Sequence, residues 1–408
     1  MKLRAIPLYY GLEFALSMPA FVVTAVYFVR VVHMSPLQLV LVGTVMEATV
    51  FVFEIPTGAF ADTYGRRLSL VVSFIVQGLA VILVGAVASF WVIAVAWAIW
   101  GFGYTFQSGA YEAWITDEVG VERVGSVFLR GTRVCYAGEL LGLIGSVGLA
   151  LWSLRAAVIA GGLVTLACGV ATALLMPETA FVRRAAEHRQ PEHRRAALRA
   201  LAGTALDGAR HIRDRSLLIL LLAAALFAGM SSEAFDRLKE AHFIRDIGLP
   251  RVGSLDPVIW FGLFGACVLV VGLVASTVLI RRAERVAMRL TKLLLPLTAV
   301  LVVAEVVFAL SGSIALGLGA LVVARLMRSL SGPLYLTWLN QGIADSSVRA
   351  TVLSMSGQAD AIGQTAGGPV LGLAGNAFGI RVALLAGAAV LLPALGLYAR
   401  AAGRDRVD

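Results

Sequence analysis

Apolar runs of about 20 residues, each long enough to cross a bilayer as a helix, recur from one end of this sequence to the other. They lie near residues 6–30, 36–60, 68–88, 91–115, 131–152, 155–176, 216–243, 258–280, 290–311, 314–341, 352–374 and 380–400. A chain so built is an all-α integral membrane protein of about twelve transmembrane helices. Composition agrees, since 59% of the 408 residues are hydrophobic and only 14% charged, with mean hydropathy +0.86, beyond the range of ordinary soluble globules. The first run carries Glu13 and Pro19 and lacks the short apolar core and small-residue cleavage site of a signal peptide, so it is expected to stay as a helix.

Lysine and arginine are retained on the cytoplasmic side during insertion. With the N-terminus inside, the inner segments hold Lys2, Arg4, Arg66, Arg67, Arg123, Arg130, the arginines from Arg183 to Arg215 and most of those beyond Arg281. The outer segments hold only Arg30, Arg155, Arg245, Arg251 and Arg381. Both termini are therefore expected in the cytoplasm, and the net charge of +9 calls for no nucleic acid. The basic stretch "FVRRAAEHRQPEHRRAALRA" reads as a solvated linker or a contact for anionic lipid heads. It divides the chain into a bundle at 1–178, a cytoplasmic linker at 179–215 and a bundle at 216–408. His188 and His193 belong to the linker. Cys135, Cys168 and Cys267 are dispersed within the spans, so neither a disulfide framework nor a metal site is expected, and no cofactor.

The two bundles carry an internal repeat. Residues 138–142, "GELLG", align with 363–367, "GQTAG", and 111–114, "YEAW", with 335–338, "YLTW". Helices four and five thus resemble ten and eleven in the same order and membrane direction, the pattern of parallel repeats about an axis along the membrane normal.

Charged groups within spans are costly and mark functional or structural sites. The seventh run holds Glu233, Asp236, Arg237, Lys239 and Glu240. Glu233, Asp236, Arg237 and Glu240 fall on one helical face, and Glu233 to Arg237 has pairing spacing, so the cluster is either an outer gate or a permanent ion-pair network. Glu13, Glu47, Glu54, Glu112 and Glu139 add acids in the first half. Arg325 and Arg328 on helix ten and Asp360 on helix eleven stand in the second. A carboxyl group held out of water can load and release a proton near neutral pH, which makes these acids candidates for proton coupling or for binding a cation. Each alternatively pairs with Arg133, Arg325 or Arg328. Gly363, Gly367, Gly368, Pro369 and Gly372 give helix eleven a thin face for close packing or a hinge. "GFGYTFQSG" at 101–109 lies in a span with no preceding strand, so it is no nucleotide loop.

The short inner loop "GAFADTYGRR" resembles the signature loop of the major facilitator superfamily, with Gly58, Asp62, Gly65, Arg66 and Arg67 at its places. The resemblance implies a major facilitator fold of two six-helix pseudo-symmetric bundles. It also implies a charge network of Asp62 and the arginines with an acid at the inner end of helix four, matched by Asp117, that latches one conformation. Within the superfamily the chain is similar to drug and tetracycline exporters that exchange substrate for protons. It differs from them at Tyr104, where they have an arginine, while Arg328 holds the repeat-equivalent place. The expectation is a monomeric, proton-coupled exporter of amphipathic small molecules in the inner membrane of a bacterium. The alternatives are uptake of an anionic nutrient held by Arg325 and Arg328, or a non-transporting sensor. No nucleophile, metal or phosphate motif indicates an enzyme.

Overall fold

The computed structural model describes residues 5–19, 21–179, 213, 215–250, 256–283, 291–343 and 349–404. The expected linker at 179–215, with His188 and His193, lies outside the described residues apart from Thr179, Arg213 and Arg215. Among the described residues there is no strand. Twelve rods carry them: α1 (Ala5–Arg30), α2 (Pro36–Tyr64), α3 (Arg66–Ala86), α4 (Phe90–Val119), α5 (Val121–Trp152), α6 (Leu154–Leu175), α7 (Ser216–Ile247), α8 (Ile259–Ala283), α9 (Thr291–Leu310), α10 (Ile314–Gln341), α11 (Arg349–Phe378) and α12 (Ile380–Ala402). Ten are long and apolar enough to cross a membrane by length and composition. Of the other two, α8 carries a shorter apolar stretch, Ile259–Gly272, and α11 is diluted by glycines and polar residues.

Four rods are interrupted, α12 by the turn residue Leu391 between Ile380–Val390 and Leu392–Arg404. Helix α1 stops at Ser17 and resumes at Phe21, on either side of Pro19, whose ring removes a backbone donor. The fourth apolar run, expected as one helix over 91–115, breaks after Thr105 and resumes as Ala110–Val119. Gly109 makes that turn with φ of 73°, a left-handed conformation open to glycine at little cost. Helix α7 ends in a π-helical turn, Phe243–Ile247.

The described residues form two compact units. One draws on Met1–Met34, Val45–Glu187 and Pro250–Ala266, the other on Ser35–Thr44, His188–Leu249 and Cys267–Asp408. Helices α2 and α8 therefore each supply residues to both.

Within the first unit α3 packs along α6 and α4, and α5 lies on α1. Gly138 and Gly142 face the backbone of Phe14 and Met18, where an added methyl would collide with main chain. Its inner core gathers Tyr9, Leu70, Phe74, Tyr111, Trp114 and Met176. In the second unit α7 lies on α11, and α9 packs on α10 and α12. There Gly363 meets the backbone of Leu226, and Gly367 meets the Met230 side chain and its Cα. Small residues let helices approach closely in lipid, where packing rather than water drives association. The aligned tyrosines also act alike: the Tyr111 hydroxyl donates to the Tyr9 carbonyl at 3.2 Å and the Tyr335 hydroxyl to that of Leu221 at 3.2 Å. The repeat read in the sequence is thus the same helix contact built twice. The rest of the α11 glycine face receives the start of α2, with Gly372 against Leu37 and Gly375 against Pro36.

Candidate functional site

At the turn between α2 and α3, Gly65 has φ of 113° and Asp62 pairs with Arg66 at 2.6 Å. The Arg67 backbone N–H donates to Glu178 Oε1 at 3.0 Å, and its guanidinium donates to the Ala173 carbonyl. The α2–α3 turn is thereby tied to the end of α6. The same exit is held by α4: Trp114 Nε1 donates to the Pro177 carbonyl at 2.8 Å, and the Thr179 hydroxyl donates to Glu118 Oε2 at 2.8 Å. Asp117 is exposed, and among the described residues no ion pair joins it to Arg66 or Arg67. Its buried neighbour Glu118 bonds Thr179, not the arginines. Gly58 sits in open space.

The acids of the first unit gather near the break in α4. Ser108, in that break, donates to Glu54 Oε1 at 2.8 Å. Glu13 sits beside the hydroxyls of Tyr9 and Tyr111 and within electrostatic reach of Glu112. Tyr104 is within electrostatic reach of Glu54, Glu112 and Glu47. Glu112, Arg133 and Glu139 are exposed.

The second unit holds a denser network. The pair foreseen from spacing, Glu233 with Arg237, forms at 3.1 Å. Arg328 on α10 is the centre: Nη1 donates to Asp236 Oδ2 on α7 at 3.0 Å and Nη2 to Glu305 Oε1 on α9 at 2.7 Å. Its guanidinium also lies 4.9 Å from the centre of the Phe235 ring, a cation–π geometry. Ser231 donates to the second oxygen of Glu305 at 3.1 Å. Asp236 Oδ1, with no hydrogen-bond partner, stands 3.8 Å from Lys239 and 4.0 Å from Arg325. The Glu305 side chain is 2% exposed, that of Arg328 19% and that of Arg325 50%. Asp360 accepts from Gln364 at 2.8 Å within electrostatic reach of Arg328 and Asp236.

Glu305 was not singled out in the sequence, although a lone acid in the apolar "LVVAEVVFAL" is the signal that marks it. His242, fully buried, is a second: Nδ1 lies 2.7 Å from Asp246 Oδ2 and Nε2 lies 3.0 Å from the Phe308 carbonyl oxygen. Among the described residues no group of three or more His, Cys, Asp or Glu side chains is placed to hold a metal.

Chemically, one half-buried guanidinium here holds two carboxylates from two further helices. Proton uptake by either would sever one of its ties and leave the other.

Residues 9–358 match the sequence model of the Major Facilitator Superfamily. An uncharacterized MFS-type transporter of Bacillus subtilis (strain 168), YxaM, is 24% identical over 364 residues, 89% of this chain and 86% of the relative. Among solved structures, a bacterial homolog of the human lysosomal transporter Spinster is similar with a TM-score of 0.73 at 14% identity, over 98% of this chain and 96% of that one. The nucleoside transporter NupG matches with a TM-score of 0.71 at 14% identity, over 98% of each chain. A D-xylose-proton symporter matches with a TM-score of 0.66 at 14% identity, over 96% of each chain.

Proposed function

The chain belongs to the major facilitator superfamily and is a multi-pass membrane transporter rather than an enzyme, and we propose that it exports amphipathic small molecules in exchange for protons. In this reading it is a monomer in a bacterial inner membrane with both termini in the cytoplasm, as its charge distribution indicates.

The observation that carries the proton is the bridge Asp236–Arg328–Glu305, whose Glu305 end is buried while Asp236 is 37% exposed. A charge in a spanning segment persists only when paired or functional, and here one cation holds two carboxylates, of which Asp236 also has Lys239 and Arg325 nearby while Glu305, among the described residues, pairs with Arg328 alone. A proton on Glu305 or Asp236 loosens α10 from α9 or α7, and its departure restores the bridge. Proton entry down a potential of about 100 mV supplies about 2.3 kcal/mol per charge, roughly a fiftyfold gradient of an uncharged cargo, while one-for-one exchange with a cation such as ethidium draws on the pH gradient alone. Asp62, Arg66, Arg67 and Glu178 act as the inner latch that opens and closes in the cycle.

Uptake of an anion at Arg325 and Arg328 is less well supported, because Arg328 is already engaged by two carboxylates that an anion would have to displace.

The test is ethidium transport by proteoliposomes with an imposed pH gradient. Extrusion coupled to the gradient supports the reading, and transport unaffected by collapsing both the gradient and the potential overturns it.

A further inference from the structure

Beside the break in α4 lies a cavity of about 230 Å³ formed entirely by residues of the first unit, from α1, α3, α4 and α6. It shares no residue with the Arg328 network. One wall is an aromatic ladder on α4: the Trp97 and Trp100 rings are 5.3 Å apart, and Trp100 and Tyr104 stack at 5.5 Å with planes 10° apart. The polar part is a pair of carboxamides, Gln77 on α3 and Gln107 in the break, with the hydroxyls of Thr24 and Thr165. Gln77 Nε2 donates to Ser73 Oγ at 2.7 Å and to Gln107 Oε1 at 3.2 Å. Among the described residues, Gln77 Oε1 and Gln107 Nε2 then carry no hydrogen bond. Turning both amides over leaves the same remainder, one acceptor and one donor. Gln77 is only 5% exposed as a residue, yet neither Gln77 Oε1 nor Gln107 Nε2 is among the buried atoms that lack a partner, so the unused acceptor and donor are open to the cavity and free to meet a ligand. No charged side chain lines the cavity.

We propose that this cavity is a second ligand site, for an uncharged planar ring system bearing an adjacent donor and acceptor, as in a lactam or cyclic imide. The ring lies along the Trp97, Trp100 and Tyr104 wall while its amide edge bonds Gln77 Oε1 and Gln107 Nε2. A cavity of about 150 Å³ accommodates benzene, so this one has room for two fused rings. The unbroken helix that the apolar pattern suggests would carry Gln107 further around α4. The turn at Gly109 is what brings a carboxamide to the mouth of an aromatic wall.

The experiment titrates quinolin-2-one, an uncharged bicyclic lactam, into the purified full chain in lipid nanodiscs, read by tryptophan fluorescence. Naphthalene, of the same shape without the amide, is the comparison. The expected result is saturable quenching, with affinity at least tenfold weaker for naphthalene and at least tenfold weaker for quinolin-2-one in Gln107→Leu and Trp100→Ala. Val81→Trp, which fills the cavity from α3 without altering its polar groups, abolishes binding and supplies the readout if either of the others does not fold. Absence of saturable binding, equal affinity for naphthalene, or undiminished binding in folded Gln107→Leu and Val81→Trp overturns the proposal. No proton gradient is imposed, so this outcome is independent of whether transport is proton-coupled.

Discussion

Replacing Arg328 by methionine keeps much of the side-chain volume and removes the cation on which three helices converge. Asp236 would keep Lys239 at 3.8 Å and Arg325 at 4.0 Å. Glu305, with a side chain 2% exposed, would keep among the described residues only the Ser231 hydroxyl at 3.1 Å, so the cost falls mainly on Glu305. Removing one partner of a buried ion pair costs about 3–5 kcal/mol. Loss of the Phe235 contact adds about 1 kcal/mol. With about 2–4 °C of melting temperature per kcal/mol for a unit of this size, Arg328→Met is expected to melt about 10–20 °C below the parent. The assay is thermal unfolding of the purified full chain in one detergent, followed by tryptophan fluorescence. Adding Glu305→Gln to Arg328→Met removes the stranded charge and should recover at least half of the loss. An Arg328→Met chain melting within about 2 °C of the parent, or a double variant no more stable than the single one, would refute the reasoning.

Four further outcomes are expected. Gly138→Ala and Gly363→Ala push a methyl into the backbone of Phe14 and of Leu226 and should lower the yield of folded protein, whereas Gly145→Ala, with open space beside it, should be neutral or gain up to about 1 kcal/mol of helix propensity. Tyr111→Phe and Tyr335→Phe should each cost at least about 1 kcal/mol, since the Tyr111 hydroxyl also stands beside Glu13 and that of Tyr335 meets Ser356 Oγ at 2.7 Å; parallel melting curves measure both. Asp62 is 64% exposed, so Asp62→Asn should change stability by less than about 1 kcal/mol yet slow ethidium transport if the α2–α3 turn is a moving latch, a split read from melting and transport rate together. His242→Leu takes the ring from Asp246 Oδ2, while the Phe308 carbonyl keeps the Ser311 hydroxyl at 2.7 Å, and should destabilise by about 1–3 kcal/mol, mainly at Asp246, measured by the same melting assay.

The helices were legible because bilayer-length apolar runs leave little else for the chain to do. The contact between Glu233 and Arg237 was legible for a local reason: i,i+4 spacing brings the two side chains together on any helix. The bridge was only half visible. Asp236 and Arg328 stood out as charges in greasy spans, but which partner each finds depends on how α7, α9 and α10 pack, and Glu305 passed as one acid in a long apolar run. The break in α4 was hidden because "GYTFQSGAYEAW" is apolar enough to read as continuous helix. The signals present were Ser108 and Gly109 side by side, a turn pair within a span. At the inner loop the family pattern drew attention to Asp117, whereas the helix register buries Glu118 and turns Asp117 outward. One residue of register is about 100° of helix, beyond what a motif without coordinates resolves.

The central claim is that cargo and proton meet through the Asp236–Arg328–Glu305 bridge. Its most direct test is proton release evoked by ethidium from the purified full chain in weakly buffered detergent solution, followed with a pH-sensitive dye beside a binding isotherm for ethidium. The account predicts protons released in proportion to ethidium bound by the parent chain, and ethidium binding without release by Glu305→Gln. Ethidium binding to the parent without proton release, or undiminished release from Glu305→Gln, would contradict it.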